Sequence, residues 1–168
     1  MINPTRPFVA ALSMLLLLAS CQPSPNSVYQ STSLLEYGIP ITVLAPDSIS
    51  VAKEDWVVQQ SISLRNEQEI YFVQIWIREA EHYDVTEALA EKLADVKEDR
   101  GFSKIIAEDT DGFIFERTID SSTVNFDFRY VQVKGDKEYT FQTDLTTRLF
   151  SEAQIRSMYD AVRNVSGS

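Results

Sequence analysis

This sequence predicts an α+β domain: a mainly antiparallel sheet of about six strands flanked by two main helices. Three observations carry that expectation. Apolar and polar residues alternate over several runs, and the dipeptides Asp111-Gly112 and Gly135-Asp136 each join two such runs. Two other stretches carry a helical apolar stripe behind a capping residue.

The elements follow in order. Ile39 to Leu44 is a short apolar run containing Pro40 and closed by Ala45-Pro46, the composition of a short or edge strand. From Trp56 to Leu64 the period is two, with Trp56, Val58, Ile62 and Leu64 on one face, so a strand is expected to begin at Trp56. Arg65 to Gln68 is a polar turn. In the next strand Tyr71, Val73, Ile75 and Ile77 share one face, while Ile70, Phe72 and Trp76 join Gln74 on the other. Apolar residues on both faces predict a central strand covered from both sides.

Asp84 then offers an N-cap, with Glu87 three residues on in a capping-box-like arrangement. Val85, Leu89, Leu93 and Val96 form the buried stripe, and Gly101 is the expected stop. One hairpin joins Lys104–Glu108 to Phe113–Ile119, and a second joins Thr123–Lys134 to Lys137–Thr143. Val124, Phe126, Phe128 and Tyr130 fall on one face of the latter. The last helix has Ser151 as cap and Gln154 completing a capping box, with Phe150 and Ile155 placed as a hydrophobic staple. Ile155, Met158, Tyr159 and Val162 are its buried stripe.

The start of the chain differs. Arg6 precedes an apolar run, Phe8 to Ala19, broken only by Ser13. Twelve helical residues would span about 18 Å, short of the roughly 30 Å hydrocarbon core, so the run reads as a secretory signal peptide over residues 1–20. It ends in Leu18-Ala19-Ser20-Cys21, which resembles the lipobox of bacterial lipoprotein precursors. That resemblance implies cleavage before Cys21, diacylglycerol on its thiol and an acyl chain (palmitate) on the new amino terminus. Two or more chains anchor stably where one does not. Gln22 rather than Asp after the cysteine implies the outer membrane, facing the periplasm. Cys21 is the only cysteine, so a structural disulfide is excluded within the chain. Residues 21–34 then read as the lipidated cysteine and a flexible Ser/Pro-rich tether, with an r.m.s. span of about 20 Å. A single domain is expected over 35–165 and a tail over 166–168.

Three stretches carry a second resemblance: "ITVLAPDSISV" (41–51), "KIIAEDTDGFIFE" (104–116) and "YTFQTDLTTRLFSEAQIRSMYDAV" (139–162). Their order and hydrophobic spacing are similar to the PsbP-like family, which includes small bacterial lipoproteins. The resemblance implies an α/β/α sandwich over this domain and carries over no functional residue.

Charge narrows the partners. Fifteen Lys and Arg against 25 Asp and Glu give a net charge of −10, and loss of Arg6 with the leader takes this to −11. Such acidity disfavours nucleic acid. No Gly-x-Ser-x-Gly elbow, phosphate loop, HExxH or dinucleotide fingerprint occurs. His82, the one histidine, stands near Glu79, Glu81 and Asp84, a conceivable acid-base or hydrolase-like site. "EDTDG" fails as a calcium loop, because Ala107 and Thr118 would occupy its first and twelfth positions. Glu91, Asp95, Glu98 and Asp99 are expected on the wet face of their helix. Phe113, Phe115, Phe126, Phe128, Tyr130, Tyr139 and Phe141 serve either as core or as a concave aromatic face for a lipid or peptide.

The expectation is a non-catalytic lipoprotein, without metal or cofactor beyond the covalent lipid at Cys21. It would bind an envelope protein or stabilise an envelope assembly. The alternatives are a carrier of a small lipophilic ligand or peptide on the sheet face, and a hydrolase-like enzyme using His82.

Overall fold

In the computed structural model, residues 29–144 and 148–164 are described. The chain runs β1 (Gln30–Ser33), a single 3-10 turn (Leu35–Tyr37), β2 (Thr42–Ala45), β3 (Ser50–Asp55), β4 (Gln60–Asn66) and β5 (Tyr71–Glu79). Then come α1 (Val85–Glu98), β6 (Phe102–Glu108), β7 (Gly112–Thr118), β8 (Val124–Lys134), β9 (Lys137–Thr143) and α2 (Glu152–Arg163). Seven strands form one antiparallel sheet in the order β3-β4-β5-β9-β8-β7-β6, and β1 pairs with β2 in a separate ribbon. The α+β class and the order of elements are as expected. The main sheet has seven strands rather than about six, because β3 has no apolar alternation to announce it.

Period-two alternation sends neighbouring residues of each strand to opposite faces. On one face Ile62, Leu64, Val73, Ile75, Phe128, Tyr130 and Phe141 pack with Ile155, Met158, Tyr159 and Val162 of α2 and with Val43 of the ribbon. On the other, Phe113, Phe115 and Val131 pack with Ala88, Leu89 and Val96 of α1. Ile114, between the two phenylalanines, belongs to the α2 side. The sheet is therefore sandwiched between helices. α1 packs over the β6–β7–β8 portion; beyond it, on β9, β5 and β4, the same face carries the buried polar side chains of Thr140, Gln74, Ser61 and Ser63.

Local chemistry sets the ends. Asp84 accepts the Thr86 backbone N–H at 2.6 Å, capping α1, and Ser151 with Gln154 completes the capping box of α2. Glu87 does not close a box on α1; its carboxylate lies 3.5 Å from His82. α1 stops at Asp99 in an extended conformation, ahead of Gly101. Gly135 turns the β8–β9 hairpin with φ 63°, the left-handed conformation that favours glycine.

Trp56 and Val58 are not in a strand. The β3–β4 hairpin turns at Trp56–Gln59, closed by the Trp56 N–H to the Gln59 carbonyl at 2.9 Å. At the other end of the molecule, the segment expected to be tether includes β1: Gln30 pairs with Ala45, and the Tyr29 ring lies edge-on to Tyr71 with centroids 5.4 Å apart. Cys21, the expected leader over 1–20, residues 22–28 and the expected tail over 166–168 lie outside the described residues. Among the described residues no helix is long and apolar enough to cross a membrane.

The outer strands are each unfit to recruit another. β3 presents five exposed residues, including Lys53, Glu54 and Asp55. β6 carries register shifts at Phe102/Lys104 and Ile105/Ala107.

Candidate functional site

The β3–β4 turn departs most clearly from ordinary turn chemistry. Tight turns favour Gly, Asn, Asp, Ser and Pro, and this one carries Trp-Val-Val. Val57 is 103% and Val58 80% exposed, and Trp56 is 45% exposed. Trp56 is held by Trp76 of β5, stacked with ring centroids 5.2 Å apart and planes at 16°. The tip is thus apolar, projecting and braced. Beside it lies a hollow of about 690 Å³ bordered by Ile77, Arg78, Glu79 and Lys137.

Beneath the hollow runs a charge network that sequence spacing does not bring together. Glu138 of β9 has a fully buried side chain. It accepts from Arg78 Nε at 3.0 Å and from Thr140 Oγ1 at 3.1 Å, and Lys92 Nζ of α1 stands 3.2 Å away. Arg78 also donates to Glu91 at 2.9 Å, and Lys92 contacts Glu91 at 3.0 Å. Burial pushes the carboxyls of Glu138 and Glu91 up, but these cations outweigh it and hold both below the usual carboxylate range. Burial likewise pulls Arg78 down, and its bonds to Glu138 and Glu91 more than reverse that.

A second groove, of about 370 Å³, lies between α1 and the polar part of the sheet face. Thr140 and Gln142 are on its floor, Trp76 on one side, Asp95 and Val96 of α1 on the other, and Arg117 and Arg129 toward β7 and β8. Gln59 and Arg78 border both hollows, so the Trp56–Trp76 stack stands as a partition between them.

The residues singled out in the sequence are placed as follows. His82 is 37% exposed, with Nδ1 3.5 Å from Glu87 and Nε2 3.5 Å from Glu91. The acids expected around it are engaged elsewhere: Asp84 caps α1, Glu81 faces Arg78 at 3.4 Å and Glu79 faces Lys137 at 3.9 Å. Among the described residues no hydroxyl or thiol is hydrogen-bonded to His82, so the geometry supplies no nucleophile–base pair there. Glu91 and Asp99 are not merely solvated: Glu91 belongs to the network, and Asp99 pairs with Arg117 at 2.7 Å.

The hairpin expected at Asp111-Gly112 forms, and both Asp109 and Asp111 bind Arg163 of α2, at 2.8 and 3.0 Å. Of the seven aromatics, Phe126 is half-buried and the other six are buried, so these rings build the core rather than an open concave face. Among the described residues no group of three or more His, Cys, Asp or Glu side chains could hold a metal ion. Trp56, Trp76, Lys92 and Glu138 were not legible as site residues. Only the run of apolar residues at 56–58, without a turn-former, pointed to any of them.

Comparisons with protein-family models, with curated proteins and with solved structures each find no match for this chain. The geometry itself has to carry the functional reading.

Proposed function

We propose that this chain is a non-catalytic lipoprotein with a PsbP-like domain, held through acylated Cys21 on the periplasmic side of a bacterial outer membrane. It binds an envelope protein through the Trp56–Val58 tip. The observation that carries the binding role is the near-complete exposure of Val57 and Val58 on a turn braced by stacked tryptophans. Consecutive exposed apolar residues on a fixed support are the makings of an interface anchor, not of a solvated loop.

The placement of the tip supports the same reading. Tyr29, where the described chain begins, touches Tyr71 and Ser157, and Tyr71 pairs with Asn66 at the far end of β4. Gln60, next to the tip, is at the opposite end of that seven-residue strand, roughly 20 Å away. An anchor before Tyr29 therefore leaves the tip pointing away from the attachment. The aromatic rows that a lipophilic carrier would need are taken up in the core, which favours the docking role over that alternative.

A photo-crosslinking residue at Val57, compared with one at Ile119, tests the docking role in intact cells. The expected result is one reproducible adduct from position 57, lost in the Val57→Asp/Val58→Asp background. Equal labelling from Ile119, or no adduct, rejects it. Incorporation of labelled palmitate that is unchanged in Cys21→Ser would reject the anchor separately.

A further inference from the structure

We infer that the groove between α1 and the polar part of the sheet face is a binding site for an uncharged saccharide, with Trp76 as its stacking platform. Its volume, about 370 Å³, falls within the range of small-ligand sites, about 300–1,000 Å³.

The charges decide the ligand class. Each cation bordering the groove is already neutralised. Arg78 and Lys92 share Glu138, at 3.0 and 3.2 Å, and Glu91, at 2.9 and 3.0 Å; Arg117 holds Asp99 at 2.7 Å, and Arg129 holds Asp127 at 3.1 Å. Asp95 borders the groove and makes no ion pair among the described residues, so the small surplus is negative. A phosphate or carboxylate would meet that surplus and would have to break existing pairs. A cation would find Asp95 alone unpaired, beside the heads of Arg78, Lys92, Arg117 and Arg129. A neutral, hydrogen-bonding ligand meets neither penalty.

The free polar groups fit a polyol. Gln142, which borders the groove, donates its Nε2 to Gln74 at 3.4 Å and keeps its Oε1 as a further acceptor. The Gln59 amide has no side-chain partner among the described residues and offers donor and acceptor together. With the Asp95 carboxylate, these supply acceptors and donors for sugar hydroxyls. Trp76 borders the groove while Trp56, stacked on it, does not. Trp56 covers one face of the indole, and the part of the half-buried Trp76 ring that borders the groove is placed to lie against the C–H face of a pyranose.

The site reports on itself. Trp56 and Trp76 are the two tryptophans of the whole chain, so all indole fluorescence arises from this ridge. The full-length protein is titrated with chitotriose, cellotriose and maltotriose, with glucose 6-phosphate as the anionic probe and choline as the cationic one.

A saturable change in intensity or emission maximum is expected with at least one neutral trisaccharide at millimolar concentration, and none with the charged probes. Gln142→Ala and Asp95→Ala should each weaken that response about tenfold at an unchanged urea midpoint. Val57→Ser/Val58→Ser should leave it intact, which separates this site from protein docking at the tip. The inference is overturned if no trisaccharide gives a saturable change. It is also overturned if a charged probe binds equally, or if Gln142→Ala and Asp95→Ala both bind as wild type.

Discussion

Trp56 in the β3–β4 turn lies flat on Trp76 of β5, centroids 5.2 Å apart and planes at 16°, so one aromatic contact fixes where the apolar tip stands. A double-mutant cycle with Trp56→Ala and Trp76→Ala in urea should give a coupling of about 0.5–1.5 kcal/mol. A coupling near zero would mean that the stack does not brace the tip.

Val57 and Val58 carry exposure without support for the core. Replacing both by Ser should move the unfolding free energy by no more than about 0.5 kcal/mol. A larger loss, read from the same urea curves, would show that the two valines serve the fold rather than a partner.

Glu138 is the keystone of the buried charge network. Glu138→Ala leaves Arg78 and Lys92 with Glu91 as the one carboxylate between them, a loss that should cost about 2–4 kcal/mol. That figure is below a full buried-pair loss because Arg78 keeps Glu91, and its side chain is 27% exposed. Equilibrium denaturation at neutral pH measures it.

Acid should remove part of the same stabilisation. The folded carboxyls of Glu138 and Glu91 titrate below the ordinary glutamate value of 4.5, because Arg78 and Lys92 outweigh the effect of burial. The unfolded chain therefore takes up protons first as pH falls. The contribution is complete above that ordinary value and is lost as pH drops through the folded values. Unfolding midpoints followed from about pH 6 to about pH 3 should fall more steeply for wild type than for Glu138→Gln. Parallel curves would refute the linkage.

Two glycines should answer mutation differently. A Cβ on Gly112 would sit 2.6 Å from the Arg129 carbonyl oxygen and 2.7 Å from the Tyr159 hydroxyl. Gly112→Ala should therefore cost about 1–3 kcal/mol, and Tyr159→Phe should not restore it, since the backbone contact remains. At Gly135 a Cβ meets nothing within 4 Å, and only the positive φ resists substitution. Gly135→Ala should cost about 1–2 kcal/mol and Gly135→Asn less. Thermal or urea unfolding of the set distinguishes crowding from conformation.

What the residues disclosed in advance follows from where periodicity carries information. The four strands of the two C-terminal hairpins, both helices and the Ser151 capping box were legible because their buried faces repeat every two residues or along a helical stripe. β3 was not, since five of its six residues are exposed and it is held by pairing with β4. β1 escaped for the same reason, with none of its residues buried. Trp56 and Val58 misled by parity: they continue the even-numbered series of Ile62 and Leu64 straight through a turn that lacks turn-forming residues. Of the candidate site, His82 was visible as a residue but not its neighbours Glu87 and Glu91. The Arg78–Glu138 pair joins positions 60 apart through the β5–β9 pairing, and local spacing cannot announce such a contact.

The two outer strands have a consequence for how copies of this chain tolerate crowding. Wherever many copies are concentrated side by side, a flat, regular strand margin would template its neighbour and seed fibrils. β3 meets an approaching copy with Lys53, Glu54 and Asp55, and β6 meets it out of step at two places. Neither margin of the main sheet therefore offers a crowding copy a strand to extend.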